Sequence, residues 1–238
     1  MRACLLKLVA PQQTILVLLS DGTAWQSSNE GYTWQHLHHN EKIVAFYMHH
    51  YSTDRAYLMT DHKKYYYTTD TGKSWSPMNV PTLPNIFNVP ILFFHPEKSD
   101  NLIFTGSEDC ENGVVGNCHA VAYYTRDNGR SWKLIEKYVR NCQWARDAQL
   151  KVDPTQIICE SYKNKKGPQP RAPTAMNAPE LIIGMNYYKN KKKIFDSVVG
   201  YAKFSEYLVV AEVVISLSLA FLPKIDYRCT GPKFQSIP

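Results

Sequence analysis

The pattern Ser/Thr-x-Asp/Asn-x-Gly-x-Ser/Thr-Trp occurs three times in this 238-residue chain and constrains the fold more than any other feature. The copies are SSNEGYTW (Ser27–Trp34), TTDTGKSW (Thr68–Trp75) and TRDNGRSW (Thr125–Trp132). They start 41 and 57 residues apart, a spacing that suits a repeated supersecondary unit rather than short-period low complexity. Asn29, Asp70 and Asp127 can each close an Asx-turn by accepting hydrogen bonds from backbone N–H groups ahead of them. Gly31, Gly72 and Gly129 can take a positive φ without a Cβ clash. The hydroxyls of Ser27, Thr33, Thr68, Ser74, Thr125 and Ser131 can tie the two arms of a hairpin. Trp34, Trp75 and Trp132 each offer a large apolar body with one donor, suited to packing between neighbouring sheets. These residue types fold a turn, and no catalytic role is expected of them. YKNKKKIF (Tyr188–Phe195) reads as an eroded fourth copy, with Asn190 at the acid position and Lys192 in place of the glycine.

The flanks repeat as well. TILVLLSDGTAWQ, RAYLMTDHKKYYY, and NLIFTGSED with HAVAYY precede the three boxes. WQHL, WSPM and WKLI follow them, and the apolar stretches KIVAFYMHH, NVPILFFHP and AQLKVDP lead onward. Short β-rich runs bounded by Gly, Asp, Asn and Pro predict strands, so the unit is four short strands with the box between the third and fourth. No segment sustains apolar residues at the i, i+3, i+4, i+7 spacing of an amphipathic helix. Sixteen tyrosines and a 13% aromatic content also favour strands. Four-stranded units in series, each burying its faces against its neighbours, predict an all-β fold of β-propeller blades, about four of them.

The net charge of +6 gathers in YKNKKG (Tyr162–Gly167) and YKNKKKIF, beside Pro and Asn, where solvated loops are expected rather than a nucleic-acid face. KNKKGPQPRAPTAMNAPE (Lys163–Glu180) reads as an insertion between strands of one blade. His36, His38 and His39, with His49 and His50, lack a carboxylate or Cys at a recognised metal spacing, so neither a metal nor a cofactor is expected. Of the six cysteines none forms a C-x-x-C pair. Cys110 and Cys118 bracket ENGVVGN, and Cys142 and Cys159 flank a strand-turn-strand. Two local bridges across hairpin-sized loops would suit an oxidising compartment, and buried free thiols are the alternative. Lys7 interrupts the opening apolar run, so no signal peptide is read there, and LVAPQQTILVLL reads on as a strand. The longest apolar stretch, Leu208–Leu222, contains Glu212 and falls short of the roughly 20 residues of a membrane helix.

Boxes of this kind mark Asp-box propellers generally, sialidases included. Three longer strings are more specific. CENGVVGNCHAVAYYTRDNGRSWKLIEKYVRNCQWA (Cys110–Ala145), FFHPEKSDNLIFTG (Phe93–Gly106) and VVGYAKFSEYLVVAEV (Val198–Val213) resemble the luminal domain of the sortilin family, above all its fungal vacuolar protein sorting receptors. The resemblance covers about Thr14 to Val214. It implies part of a ten-bladed propeller that in the family is followed by a cysteine-rich module, one membrane span and a cytosolic tail. It implies binding of soluble vacuolar hydrolase precursors such as carboxypeptidase Y, through peptide segments, in the late Golgi, with release at endosomes. It also implies disulfides at Cys142–Cys159 and Cys110–Cys118, Golgi and endosomal lumen as the location, no nucleic-acid partner, and membrane attachment only through a segment outside this chain.

The family pattern stops after Val214. Residues 215–238, ISLSLAFLPKIDYRCTGPKFQSIP, carry no box and no blade rhythm, and are expected to be non-family sequence, intron-derived or from a mistaken gene model, leaving Cys4 and Cys229 without assigned partners. The domain boundary is accordingly placed at 1–214 and 215–238, and the chain is expected to be truncated at both ends. The competing class is a sialidase-like glycoside hydrolase, which needs an arginine cluster and a Tyr/Glu pair with an acid. The Phe/Tyr-Arg-Ile-Pro string of sialidases is absent, and Arg126 and Arg130 lie inside a box turn, a poor place for a substrate clamp. A secreted propeller with protein partners is a third reading.

Overall fold

The structure, a computed structural model, describes residues 3–7, 14–87, 89–110, 116–147, 150–174, 176–204, 207–214 and 224–230. Among these residues there are strands and no helix. They form five sheets, each a run of consecutive strands. The first contains β1 (Ala3–Lys7), β2 (Ile15–Leu19), β3 (Ala24–Ser27) and β4 (Gln35–Leu37). The second contains β5 (Ile43–Met48), β6 (Ala56–Thr60), β7 (Lys64–Thr68) and β8 (Ser76–Asn79). The third runs β10 (Leu92–Phe94), β11 (Leu102–Glu108), β12 (His119–Thr125) and β13 (Lys133–Lys137), with the short β9 (Leu83–Pro84) paired to β11. The fourth contains β14 (Val139–Trp144), β15 (Ile157–Ser161), β16 (Glu180–Met185) and β17 (Asn190–Phe195). The fifth contains β18 (Val198–Phe204), β19 (Tyr207–Val214) and β20 (Lys224–Thr230). The chain is thus all-β and built of β-propeller blades, with five sheets where the box count predicts about four.

The middle strands explain why the sequence reads as continuous apolar runs rather than alternation. Every residue of β6 and of β15 is buried, because these strands are covered on both faces. Edge strands differ: β8 and the first four residues of β17 are largely exposed. The first strand of three sheets carries a register shift at the same point, between Ile43 and Ala45, between Val139 and Asn141, and between Val198 and Gly200. The extra residues Val44, Arg140 and Val199 share no sequence signature, so this repeated bulge, which increases local twist, is visible only in the backbone.

Two expectations are corrected. Tyr188–Phe195 is not a fourth box: Asn190–Phe195 is strand β17, with Asn190 paired to Met185. The connection from β16 to β17 is instead a tight loop with positive φ at Asn186, Tyr187 and Tyr188. In addition, the stretch after Val214, read as having no blade rhythm, supplies β20, which pairs antiparallel with β19 from Leu208↔Thr230 to Val214↔Lys224. KIDYRCT alternates apolar and polar residues, the period-2 signal of a strand. Residues 8–13, within the run LVAPQQTILVLL, lie outside the described residues, as do 111–115 of the Cys110–Cys118 loop and 215–223 and 231–238 of the tail.

The chain divides into two compact units. One comprises Met1–Pro84, Lys98–Leu102 and Thr125–Trp132, and the other Asn85–Glu97, Ile103–Tyr124 and Lys133–Pro238. Leu16, Ala24, Leu37, Ile43, Ala56 and Leu58 form the core of the first. The second holds two clusters. One is centred on Ile103, Ala120, Ala122, Trp144 and Ile157 with Cys118, Cys142 and Cys159, the other on Ile158, Leu181, Ile183, Val198, Leu208 and Val210.

Candidate functional site

The three boxes fold into the same wiring. In the second, the Thr68 hydroxyl donates to Asp70 Oδ1 (2.7 Å) and accepts from the Gly72 amide (2.9 Å). Asp70 then receives the Ser74 amide on Oδ1 (2.9 Å) and the Ser74 hydroxyl on Oδ2 (2.6 Å). The third repeats this with Thr125, Asp127, Gly129 and Ser131 at 2.6, 2.9, 2.9 and 2.6 Å. In the first, Asn29 Oδ1 accepts from the Thr33 amide (2.9 Å), but its Nδ2 donates to the Thr33 hydroxyl (2.9 Å), reversing that one bond. Ser27 Oγ accepts from the Gly31 amide (2.8 Å). Gly31, Gly72 and Gly129 have φ of 94°, 83° and 87°.

Partial burial pushes the Asp70 carboxyl up, but hydrogen bonds from Ser74, Thr68 and Lys73 outweigh it and leave it below the usual carboxylate range. Asp127 behaves alike, through Ser131, Thr125 and the charge of Arg130. A carboxyl depressed by folding stabilises the native state above its unfolded pKa, and that stabilisation is lost as pH falls through the folded value. Asp127→Asn should therefore stay within about 1 kcal/mol of the parent at neutral pH, since Asn29 already sustains a box. It should also flatten the loss of stability on acidification below about pH 4, near the ordinary carboxylate pKa. Asp127→Ala should cost roughly 1.5–3 kcal/mol, because it removes the hydrogen bonds that the charged carboxylate accepts from Ser131 and Thr125. Urea denaturation across the acid range checks both.

The closing tryptophans dock on the preceding sheet. Trp75 Nε1 donates to Gln26 Oε1 (2.9 Å), while Gln26 Nε2 donates to the Gly72 carbonyl (2.8 Å). Trp132 Nε1 donates to the Asn79 carbonyl (3.1 Å). Beside it, the buried Tyr57 and Tyr65 donate to Asn128 Oδ1 (2.8 Å) and to the Asn128 carbonyl (3.3 Å). Trp34 is 42% exposed, and Tyr32 is 84% exposed on the same turn. Sequence reading places the boxes but not Gln26, Asn79 or Asn128, whose partners are set by tertiary placement.

The histidines pack on aromatics. His36 stacks on Trp25 at 4.7 Å, and His38 lies over Tyr66, whose hydroxyl donates to Glu41 (2.9 Å). Burial, opposed by Glu41, lowers the His38 pKa. His49 is pushed down to about 4 by burial and by Arg55. His50 stands against Tyr51. Among the described residues no group of three or more His, Cys, Asp or Glu is placed to hold a metal ion. Arg126 and Arg130 are exposed on the third box turn.

Both cysteine pairs are disulfides, Cys110–Cys118 and Cys142–Cys159. The second joins residues directly opposite each other on β14 and β15, and both of its half-cystines are fully buried. The Tyr162–Pro179 insertion lies between β15 and β16 of one sheet, as its composition predicts. It is pinned by Gln169, 4% exposed, a residue that sequence reading does not single out. The Gln169 side chain accepts from the Ala120 amide (2.8 Å) and donates to the Val139 carbonyl (3.1 Å), and its own amide donates to the Cys118 carbonyl (3.0 Å). Residues of this loop, Tyr162, Lys163, Pro168, Pro170 and Met176 among them, line a cavity of about 330 Å³ together with Ser197.

Residues 22–219 match the model of the family described as Sortilin, neurotensin receptor 3. The chain is 55% identical to the vacuolar protein sorting/targeting protein 10 of Laccaria bicolor over 202 residues, 85% of this chain and 14% of that protein. It is 45% identical to the protein of the same name from Mycosarcoma maydis over 239 residues, 97% of this chain and 16% of that one. It therefore spans about one seventh of the length of these relatives. Among solved structures, an oligogalacturonate lyase in complex with manganese superposes with a TM-score of 0.57 over 92% of this chain and 59% of its own, at 8% identity, a likeness of fold alone. The match over most of the sequence, together with relatives named for vacuolar sorting, shows that the chain belongs to the Sortilin-Vps10 family.

Proposed function

We propose that this chain is a cargo-binding portion of a vacuolar sorting receptor, and that it engages soluble hydrolase precursors, carboxypeptidase Y precursor among them, in the lumen of the late Golgi for delivery to endosomes and vacuole. The observation that carries the reading is the 55% identity to a protein named for vacuolar sorting and targeting. The two disulfides support a luminal setting, since oxidising compartments are where such bridges persist. Asn29, Asp70 and Asp127, with the hydroxyls and amides bonded to them, are committed to holding their turns, so recognition falls to the loops and surfaces between turns. Binding would use exposed loops and extended peptide, and would require no chemistry. The family's membrane span and sorting tail would act through sequence outside this chain. The Asp-box and cysteine residues are proposed to act structurally, residues 1–214 as a partial sortilin-type propeller and 215–238 as a non-family tail, of which Lys224–Thr230 pairs with β19.

The test is direct. The chain is immobilised and presented with purified carboxypeptidase Y precursor and with the mature enzyme. Saturable capture of the precursor is expected, and it should disappear when the disulfides are reduced. A folded chain that captures no precursor would overturn the reading. Turnover of a fluorogenic sialoside would replace it with the glycoside hydrolase.

A further inference from the structure

Each of the first four sheets ends on an outer strand that discourages further pairing. β4 is three residues long, β8 carries Pro77, β13 carries Lys133 and Lys137, and β17 carries Lys191, Lys192 and Lys193. Short strands, prolines and lysines are the usual means of keeping a sheet edge from recruiting another chain. The fifth sheet ends differently. It has three strands, and β20 takes the third position, the one held by β3, β7, β12 and β16, which a fourth strand covers in every other sheet. Among the described residues no strand pairs with the outer edge of β20. β20 is seven residues long, has no proline, and has its single lysine at its first position.

The register shows what this edge lacks. Glu212 on β19 stands directly opposite Asp226 on β20, and Val198 on β18 stands opposite Glu212. One row across the sheet therefore runs Val198, Glu212, Asp226 and then the open edge. Like charges directly opposite each other destabilise a sheet, and a cation at the next place in the row reverses that. KIDYRCT supplies such a cation itself. Aligned antiparallel with a reversed copy about Tyr227, it sets Asp226 opposite Arg228, Arg228 opposite Asp226, Ile225 opposite Cys229 and Tyr227 opposite Tyr227. Even-numbered positions, all polar, meet even-numbered ones, and odd-numbered positions, all apolar or aromatic, meet odd, so each pair shares one side of the pleat.

We infer that β20 pairs antiparallel with β20 of a second copy of this chain, joining two three-stranded sheets into one sheet about a two-fold axis at Tyr227. The contact is isologous, each copy giving and receiving the same bonds. Arg228 of each copy takes the next place in the row of Glu212 and Asp226 on the other. Residues 231–238, GPKFQSIP, match that row less well as a fourth strand: they hold one charge, Lys233, and two prolines, which lack the N–H that a ladder needs. The inference goes beyond the sorting reading and does not rest on it, because precursor capture and self-pairing are measured separately.

Sedimentation velocity of the full chain over a concentration series is the test. A monomer–dimer equilibrium is expected, weak and in the micromolar range, because one strand pair is a small interface. Asp226→Arg alone, or Arg228→Asp alone, sets like charges opposite each other at two places in the dimer and should raise its dissociation constant at least about tenfold. The two substitutions together restore opposite charges and should bring the constant back to within about threefold of the parent. Rescue by the double exchange separates lost pairing from lost folding, and far-UV circular dichroism checks that each single variant keeps its strands. A chain shortened after Thr230 should dimerise as the parent does. Non-reducing electrophoresis should show no covalent dimer, since in this register the two Cys229 residues are not opposite each other. A parent that stays monomeric, single variants that dimerise as tightly as the parent, or a double exchange without rescue would each overturn the inference. So would a covalent dimer through Cys229, or a dimer that forms or disappears when residues 231–238 are removed.

Discussion

Gly129→Ala is expected to destabilise the chain by about 4 kcal/mol, lowering its melting temperature by roughly 8–16 °C, whereas Gly31→Ala should cost only about 1–2 kcal/mol. Both glycines occupy the same box position with nearly the same φ, 87° and 94°, so the backbone term of about 1–3 kcal/mol is common to both. Their surroundings differ. A Cβ on Gly129 would lie 2.3 Å from the Tyr65 hydroxyl, 3.0 Å from Met78 Cγ and 3.1 Å from Trp132 Cζ2. Tyr65 is fully buried and its hydroxyl is bonded to the Asn128 carbonyl, so it has nowhere to swing. Overpacking of this kind adds about 1–3 kcal/mol. A Cβ on Gly31 would meet only Trp34 at 3.7 Å and Ile15 at 3.9 Å, ordinary contacts. Urea denaturation of the two variants, followed by tryptophan fluorescence, separates the terms. Equal losses would show that packing against the preceding sheet adds nothing at Gly129.

Removing Cys142–Cys159 as the double alanine variant should cost about 3–5 kcal/mol, and removing Cys110–Cys118 about 2 kcal/mol. Loop entropy alone barely distinguishes separations of 17 and 8 residues, since it grows only with the logarithm of length. The difference comes from packing. Cys142 and Cys159 are both fully buried in the cluster with Trp144 and Ile157, so truncating them also empties core volume. Cys110 is only half-buried, beside a loop. Thermal unfolding of both double variants, with and without reductant, gives the comparison. The parent should fall under reductant by less than the sum of the two losses, because the thiols still fill the core, and an equal loss for the two alanine pairs would contradict the packing argument.

The box turns were legible because every bond that folds them is local. Each of Asn29, Asp70 and Asp127 finds its partners within four residues, so the pattern of residue types is the structure. The four-strand rhythm around them follows from the same locality, as does the placement of the Tyr162–Pro179 insertion. What was not legible depends on chain segments far apart. Gln26 looks like any strand glutamine until Trp75 and Gly72, on the next sheet, close on it. Gln169 sits in a proline-rich loop whose composition announces exposure, yet its amide is buried against Ala120 and Val139. The supposed fourth box failed for a definite reason: its Asn190 pairs within a strand, and the turn residues lie four positions earlier, where Asn186, Tyr187 and Tyr188 take positive φ without glycine. The last sheet was missed because a run of seven alternating residues, KIDYRCT, carries no turn motif to frame it.

The direction of the tryptophan bonds bears on how the chain emerges from a ribosome. Trp75 reaches back to Gln26, and Trp132 reaches back to Asn79. In both cases the acceptor is synthesised first, and its sheet can be complete before the indole that needs it leaves the exit tunnel. Synthesis at about 5–20 residues per second separates Gln26 from Trp75 by several seconds, far longer than the microseconds in which a hairpin forms. Each new repeat thus arrives at a finished template, and misordered pairing between repeats has little time in which to occur.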